Sequence, residues 1–598
     1  MKAIILAAGY GKRMRPLTDR EHKTLLKING RTIISRIVDG LLENGITDII
    51  VATGYLAARL ENYLREFYPR VPFTFVENRN YSNTNNIHSL SLVFDEVEID
   101  DDTLLVESDL IYEPAVIKKI IASPRANVAL VDRYRHGMDG TVVTVANQVI
   151  NSIIPPHLQG PGFDFSDKYK TLNIYKFSQA FCNQTFKKLL KYYASVIDQN
   201  SYYELILGIL IYLQKATIFA DIIGEEKWAE VDNPNDLAAA SFVFNKDERL
   251  NMLQQASGGY WNYDVLDFCF IRNMYFPNTG ILSELKNSFE KLICNYGSRQ
   301  DILNQKLAYF LSCHSEHATL LNGCSQIYPL LRTLYAARRV LLPKPTFGEY
   351  DRIFPQADCY KDGVGISTDE IETKSQPCHV IVVVNPNNPT GSFVETRWLL
   401  DFAARHPDKT IVIDESFIDF APTSSIIPDL DQRPIRNVVA LKSLSKALGV
   451  PGLRLGFVYA ADPEFTAFIR QNLPIWNSNS VAECFLEILL KYRQELEQSY
   501  QETIHDREAF AEELRALPNV KNVFQSAANF LLVKFKGSAG MWQDLPNRIM
   551  AASNIYVKDV SSKMDDGDFY LRLAVRLPEE NKTLIEALVA QNGTMQSG

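Results

Sequence analysis

Several short stretches of this chain combine residue types that do chemistry. In SLSKALGVPGLRLGF, residues 443–457, Lys446 follows an apolar run and stands between small residues. An isolated lysine is usually a surface charge, but a reactive amine needs this kind of desolvated position at the end of a buried strand. Asn388 in VNPNNPTG (384–391) and Asp414 in VIDESFIDF (412–420) also end apolar runs. Near the N-terminus, LAAGYGKRM (6–14) places Gly9 and Gly11 just before Lys12 and Arg13. Glycines there permit tight turns whose backbone N–H groups face a phosphate chain. A dinucleotide-binding turn fits poorly, because the third glycine is missing and two cations are inserted. A plain glycine-rich turn is the other reading. Asp109 in VESDLIYEP and Asp232 in WAEVDNPNDL close strand-like runs. Alone, either is more often a loop cap than a metal ligand.

Positioning these residues requires elements. KAIILAA (2–8), DIIVATG (48–54), FTFVE (73–77) and TLLVESD (103–109) read as buried strands, and 32–44 has helical spacing of Ile, Val and Leu. Alternating strands and helices predict an α/β domain with parallel pairing. After a polar, helix-prone stretch the pattern begins again with ATLLNG, VLLPKP, HVIVVVN, KTIVIDE and NVVALKS. Ligands gather at the carboxyl ends of such strands, where Asn388, Asp414 and Lys446 fall. The expected domains are 1–245 and 246–598, the second with a large part at about 296–480 and a smaller part from the flanking segments.

Composition narrows the classes. With 46% apolar and 22% charged residues the chain is globular, not disordered. A net charge of −9 without a basic run argues against nucleic-acid binding. Eight cysteines, all apart and with no CxxC, indicate neither a disulfide framework nor a zinc site. The apolar run at the N-terminus ends in GKRMR, too short for a signal peptide. The run 205–213 is far below the ~20 residues a bilayer requires. A cytoplasmic protein with no membrane segment is expected.

LAAGYGKRMRPLT with HKTLLKING, VATGY (51–55), NTNNIHSL (83–90), VESDLIYEP and WAEVDNPNDL resembles the sugar-phosphate and phosphocholine nucleotidyltransferases, nearest the phosphocholine cytidylyltransferases. His22 departs from the proline usual before the lysine. The resemblance implies a Rossmann-like nucleotidyltransferase domain using CTP and Mg²⁺. Arg13 and Lys23 would neutralise the phosphates, and Asp109 and Asp232 would hold the metal, a hard ion that takes carboxylate and phosphate oxygens. The nucleotide would lie against Leu6, Ala7, Ala8, Gly9, Gly11, Arg13, Lys23 and Asp109, with Asn83, Asn85, Asn86 and Ser89 reading base and ribose. Asp139, Tyr175, Tyr203 and Glu204 are candidates for surrounding a cationic head group; for the tyrosines, core packing is the alternative.

SLSKALGVPGLRLGF resembles the Schiff-base segment of the class I/II aminotransferases, of aspartate-aminotransferase (fold type I) architecture, so Lys446 would carry pyridoxal phosphate (PLP). By the same resemblance Asn388 bonds the cofactor's phenolic oxygen and Asp414 keeps the ring nitrogen protonated. Cys324 and Ser325 in NGCSQ, with Ser443, Ser445 and Arg454, would hold its phosphate, and Phe347 would stack on its ring. Tyr296 takes the place of the tyrosine that reaches into a neighbouring subunit, which implies a homodimer. Phe417 stands where many relatives have a tyrosine, costing one hydrogen bond. Arg572 in FYLRLAVRLPEEN matches the carboxylate-binding arginine, and Arg576 is either a second anion-binding group or a salt-bridge partner. This segment resembles histidinol-phosphate aminotransferases and threonine-phosphate decarboxylases.

The whole chain resembles fused 2-aminoethylphosphonate cytidylyltransferase/transaminase proteins of bacterial phosphonate biosynthesis. The implied sequence of reactions is transamination of phosphonoacetaldehyde and coupling of the amine to CTP. The alternatives are a phosphoserine decarboxylase joined to a phosphoethanolamine or phosphocholine cytidylyltransferase, and a chain with one non-catalytic half.

Overall fold

Lys2–Ala7 pairs in parallel with Asp48–Thr53 on one side and Thr103–Glu107 on the other, and Phe73–Glu77 extends the block. Ala3 through Ala7 are all buried, as a parallel strand covered on both faces must be. Helix Ile33–Glu43 covers one face through Ile33, Ile34, Ile37, Val38 and Leu41, a 3.6-residue stripe. Thr32 caps it, Oγ1 accepting from Ser35 N at 3.1 Å. Five more strands extend this sheet to nine, in the order 73–77, 48–53, 2–7, 103–107, 169–177, 128–133, 219–222, 149–154, 142–146. Strand Tyr169–Phe177 is antiparallel to Thr103–Glu107, so the sheet is mixed.

The computed structural model describes residues 1–593 except 136, 161 and 364. The chain divides into units 1–263 and 264–598, so helix Arg249–Ala256 lies in the first. The second unit has a seven-stranded sheet ordered 318–322, 455–460, 438–443, 410–414, 380–384, 340–344, 358–361. Only Leu455–Ala460 runs antiparallel to its neighbours. A separate antiparallel sheet, 520–523, 530–538, 568–574 and 558–559, has its own core around Phe510, Leu531, Ile549 and Leu571. Among the described residues no helix is long and apolar enough to cross a membrane.

The turn after Lys446 is clamped to the start of this unit. Asn273 donates through N to Lys446 O and through Nδ2 to Ala447 O, both at 2.9 Å. Gly449 (φ 64°) makes the close approach possible, since a Cβ there would lie 1.9 Å from Phe276 O. Gly449→Ala is therefore expected to cost more than ~1 kcal/mol through left-handed strain and backbone collision. A thermal melt lowered by several degrees checks this, and an unchanged melt would remove the clamp.

Candidate active sites

In the first unit the strand ends surround a cavity of about 1340 Å³. Gly11 adopts φ 62°, and a Cβ there would come within 3.3 Å of Thr18 Cγ2 and Lys23 Cβ. Its missing side chain lets the loop close against Lys23. His22 anchors the turn carrying that lysine: Nδ1 accepts from Thr24 N at 3.2 Å, and Nε2 lies 3.1 Å from Ala7 O. Burial lowers the His22 pKa to about 4, so it acts as a neutral hydrogen-bonding wedge in the place of the expected proline.

Lys23 Nζ sits between two carboxylates, 3.1 Å from Asp109 Oδ2 and 2.8 Å from Asp232 Oδ1. Burial disfavours its charge, but Asp109 and Asp232 outweigh burial and raise its pKa. Arg13 reaches Asp232 Oδ2 at 2.7 Å and approaches Asp139 at 3.8 Å. Asp109 Oδ1 is buried without a partner. Among the described residues no group of three His, Cys, Asp or Glu converges on a metal position. Two carboxylates do fit a hard divalent ion that takes its remaining ligands from substrate phosphates.

Leu6, Ala8, Gly9, Asn85, Asn86, Ser89 and Glu204 also line the cavity. Four expected contacts are not brought there. Ala7 spends its carbonyl on His22, and Asn83 turns outward to Asn80, 3.0 Å from its Oδ1. Tyr175 and Tyr203 are fully buried and pack edge to face at 5.9 Å, in the core and not as a cage. Asn86 Nδ2 donates to Glu107 Oε1 at 3.0 Å and Asn86 Oδ1 accepts from Tyr203 N at 3.0 Å, so its amide braces the wall.

Glu107, Glu230 and Lys170 complete the wall without having stood out in the sequence. Lys170 is almost fully buried and lies 3.1 Å from Glu230. Burial raises Glu230 to about 7 and Glu204 to about 6, and it pushes Glu107 well above the carboxylate range. Glu204 Oε2 is buried and unpartnered. An Asp/Glu run flanking strand ends was the available signal, but only folding gathers residues 107, 204 and 230.

In the second unit the key residues occupy neighbouring strand ends. Asp414 ends Thr410–Asp414, Asn388 lies in the loop after Val380–Val384, and Lys446 sits in Leu444–Ala447 after Val438–Ser443. Burial lowers the Lys446 pKa to about 8, assisted by the charges of Arg572 and Arg454. Asp414 is buried and accepts from Tyr350 OH at 2.7 Å and Ser416 N at 3.1 Å. Burial raises its pKa, opposed by the Ser416 and Tyr350 bonds. A buried carboxylate served by these neutral donors suits a cationic ring nitrogen.

The turn expected to hold the cofactor phosphate is closely packed. Gly323 has φ 76°, and a Cβ there would collide with Arg454 Nη2 at 2.4 Å. A Cβ on Gly456 would lie 2.6 Å from Cys324 N. Arg454 Nη2 donates to Ser325 Oγ at 2.9 Å, and Ser445 Oγ is buried without a partner. Ser443 N donates to Ser416 Oγ at 3.1 Å, tying this region to the Asp414 turn. Phe347 is 38% exposed, leaving a face for a ring. Phe417 instead packs edge to face on Phe530 at 5.1 Å and supplies no donor. Tyr296 is exposed and stacks on Trp476 at 4.3 Å. These residues fit PLP.

Arg572 Nη1 donates to Asn388 Oδ1 at 3.0 Å and Nη2 to Cys269 O, while its Nε is buried and unpartnered. Arg576 is not brought to this site. Its Nε and Nη2 bond Glu580 at 3.1 and 2.9 Å, and Nη1 bonds Asp267 O at 2.8 Å. Strand alternation would put residues four apart on one face and so does not explain this; the strand ends at Ala574, and Glu580, four residues on in the following helix, takes the Arg576 guanidinium. Arg576→Ala is expected to cost about 1–3 kcal/mol of stability by leaving those acceptors unpaired, with substrate preference unchanged. Denaturant unfolding and competing-substrate assays measure the two effects.

Comparison with known proteins agrees with this division. Residues 3–157 match the MobA-like NTP transferase domain, and residues 287–588 match the aminotransferase class I and II family. The chain is 32% identical over 98% of its length to CMP-5'-(3-aminopropyl)phosphonate synthase of Streptomyces rubellomurinus, covering 94% of that protein. Histidinol-phosphate aminotransferase of Ruminiclostridium cellulolyticum is 28% identical over 48% of this chain and 81% of its own. L-serine phosphate decarboxylase of Sulfurospirillum multivorans is 28% identical over 54% of this chain and 87% of its own. The aminotransferase match implies PLP as the cofactor of the second unit. The chain belongs to a family of two-part enzymes, in which a MobA-like nucleotidyltransferase precedes a class I/II aminotransferase-type PLP domain.

Proposed function

We propose that the two sites act on one compound: the PLP site produces 2-aminoethylphosphonate, or a homologue one carbon longer, and the first site couples it to CTP. The observation that carries this reading is the whole-chain similarity to the aminopropylphosphonate synthase, combined with both constellations being intact. At the first site, a phosphonate oxygen attacks the α-phosphorus of CTP and pyrophosphate departs. Lys23 and Arg13 neutralise the anions being brought together, and such transfer depends mainly on alignment and charge. Asp109 and Asp232 would hold Mg²⁺, which supplies further charge neutralisation. Glu204, whose Oε2 is buried and unpartnered, would receive the ammonium end of the substrate, with Asp139 at the rim.

At the second site, bound PLP supplies the electron sink for bond breaking at the amine-bearing carbon. Lys446 provides an amine kept partly neutral near physiological pH and moves protons at that carbon. Asp414 would hold the ring nitrogen's proton, Asn388 would offer its amide Nδ2 to the phenolic oxygen, and Arg572 would bind the substrate anion. Tyr296 with Trp476 forms an exposed aromatic pair suited to contact with a second copy across a homodimer. The test is pyrophosphate release from CTP with 2-aminoethylphosphonate and 3-aminopropylphosphonate, alongside amine transfer from each to keto acids. The similarity to a serine phosphate decarboxylase favours a second reading, in which the PLP site removes CO₂ from an amino acid bearing a phosphorus group. Release of CO₂ from such a substrate, with no amine transfer, would establish it.

A further inference from the structure

Arg572 and Lys563 share an unusual electrostatic position. Neither has a carboxylate within ion-pair distance among the described residues; Arg572 bonds an amide oxygen and a carbonyl, and Lys563 bonds a carbonyl. Lys563 closes the turn Ser561–Lys563, between strands Lys558–Asp559 and Asp568–Ala574. Its Nζ donates to Thr346 O at 2.5 Å. That carbonyl precedes Phe347, and a Cβ on Gly348 would lie 3.5 Å from the same Nζ. The ammonium therefore lies over the turn that presents Phe347 to the PLP site. Thr346, whose carbonyl holds Lys563, also donates through Oγ1 to Asn387 Oδ1 at 3.1 Å, next to the Asn388 whose Oδ1 holds Arg572. Burial lowers the Lys563 pKa, Asp351 opposes this, and Arg572 and Lys558 lower it further.

Desolvated cations are normally paired, because an unpaired charge removed from water is costly. Lys563 and Arg572, both partly buried and held by neutral oxygens of the adjoining Thr346 and Asn387–Asn388 segments, leave positive charge available for an anion. A carboxylate is matched by one planar guanidinium, whereas a phosphonate or phosphate dianion gains from a second cation. Arg576, the other arginine in this strand region, is already neutralised by Glu580. The cofactor's own phosphate has a separate cup at Ser325 and Arg454.

We propose that Lys563 is the second cation of the amine-substrate site, acting with Arg572 to select a phosphorus-centred dianion over a carboxylate. This rests on the reading that the PLP site handles an amine bearing such a group. Ethylphosphonate and propionate, amine-free and unreactive, serve as phosphonate and carboxylate probes, at a pH where the phosphonate's second proton is lost. Their binding to the PLP-loaded enzyme is followed through the cofactor's absorbance band, which reports this site and not the nucleotide cavity. In Lys563→Met the ethylphosphonate-to-propionate affinity ratio is expected to fall at least about tenfold, and Lys563→Arg should restore most of it. A smaller fall in that ratio, including equal weakening of both ligands, overturns the proposal. If Lys563→Met fails to load cofactor, Lys563→Gln replaces it, since the amide keeps a donor for Thr346 O and removes only the charge. Turnover of aminoalkylphosphonates by the wild-type enzyme is measured separately. Turnover with an unchanged ratio in the variant sinks the role of Lys563 alone. A fallen ratio without turnover or CO₂ release sinks the proposed reaction alone.

Discussion

Replacing Lys446 by alanine is expected to abolish the visible cofactor band and all chemistry of the second unit, while pyrophosphate release by the first continues nearly unchanged. The amine is buried at a strand end, with Asn273 holding its turn in place, and no other lysine is assigned to attach the cofactor. The loss should exceed ~10³-fold, because the nucleophile itself is removed. The apo-protein provides a check in pH. The Lys446 pKa is lowered to about 8, so its neutral, reactive form gains population as pH rises through that value. The rate of PLP capture should climb across the same window and level off above it. A capture rate flat from pH 6 to 10 would contradict a buried amine of lowered pKa. Collapse of both activities in a folded Lys446→Ala variant would refute two independently working sites.

At the first site Lys23→Ala or Asp109→Ala should reduce pyrophosphate release by at least ~10²-fold, the scale of losing one preorganised charge at a reacting phosphoryl group. Lys23 is placed to serve in this way because Asp109 and Asp232 keep it protonated despite burial. Its titration should therefore leave no step in the rate below alkaline pH. EDTA should stop the reaction and added Mg²⁺ restore it; full activity in EDTA would remove the metal role from Asp109 and Asp232. Both variants should retain the absorbance and the amine chemistry of the second unit. Losing those as well would show that the damage is to folding.

Local pattern determined a great deal in this protein. The strands at 2–7, 48–53, 73–77 and 103–107, and five strands of the second unit, form where apolar runs predicted them, except that 73–77 lies at the sheet edge with only Val76 buried and is not the buried strand expected. A buried parallel strand needs no partner information to be recognised. Lys446, Asp414 and Asn388 were legible for the same reason, since each follows such a run and strand ends are where an open α/β sheet exposes polar groups. The reversed direction of strand 455–460 and the four-stranded sheet carrying Arg572 were not legible, because strand direction and the pairing of short irregular segments are set by partners and not by the run itself. Tertiary structure alone decided which charges are free. Arg572 and Arg576 look alike in RLAVR, yet one bonds only neutral oxygens and keeps a buried, unpartnered Nε, whereas the other is neutralised by Glu580. Lys563 stands in a segment with no motif and becomes notable only because folding sets its ammonium on Thr346 O. The acidic wall of the first cavity arises in the same way, from Glu107, Glu204 and Glu230 on three separate elements. Periodicity encodes burial along one segment, whereas the balance of charge in a site is a sum over segments that only the fold brings together.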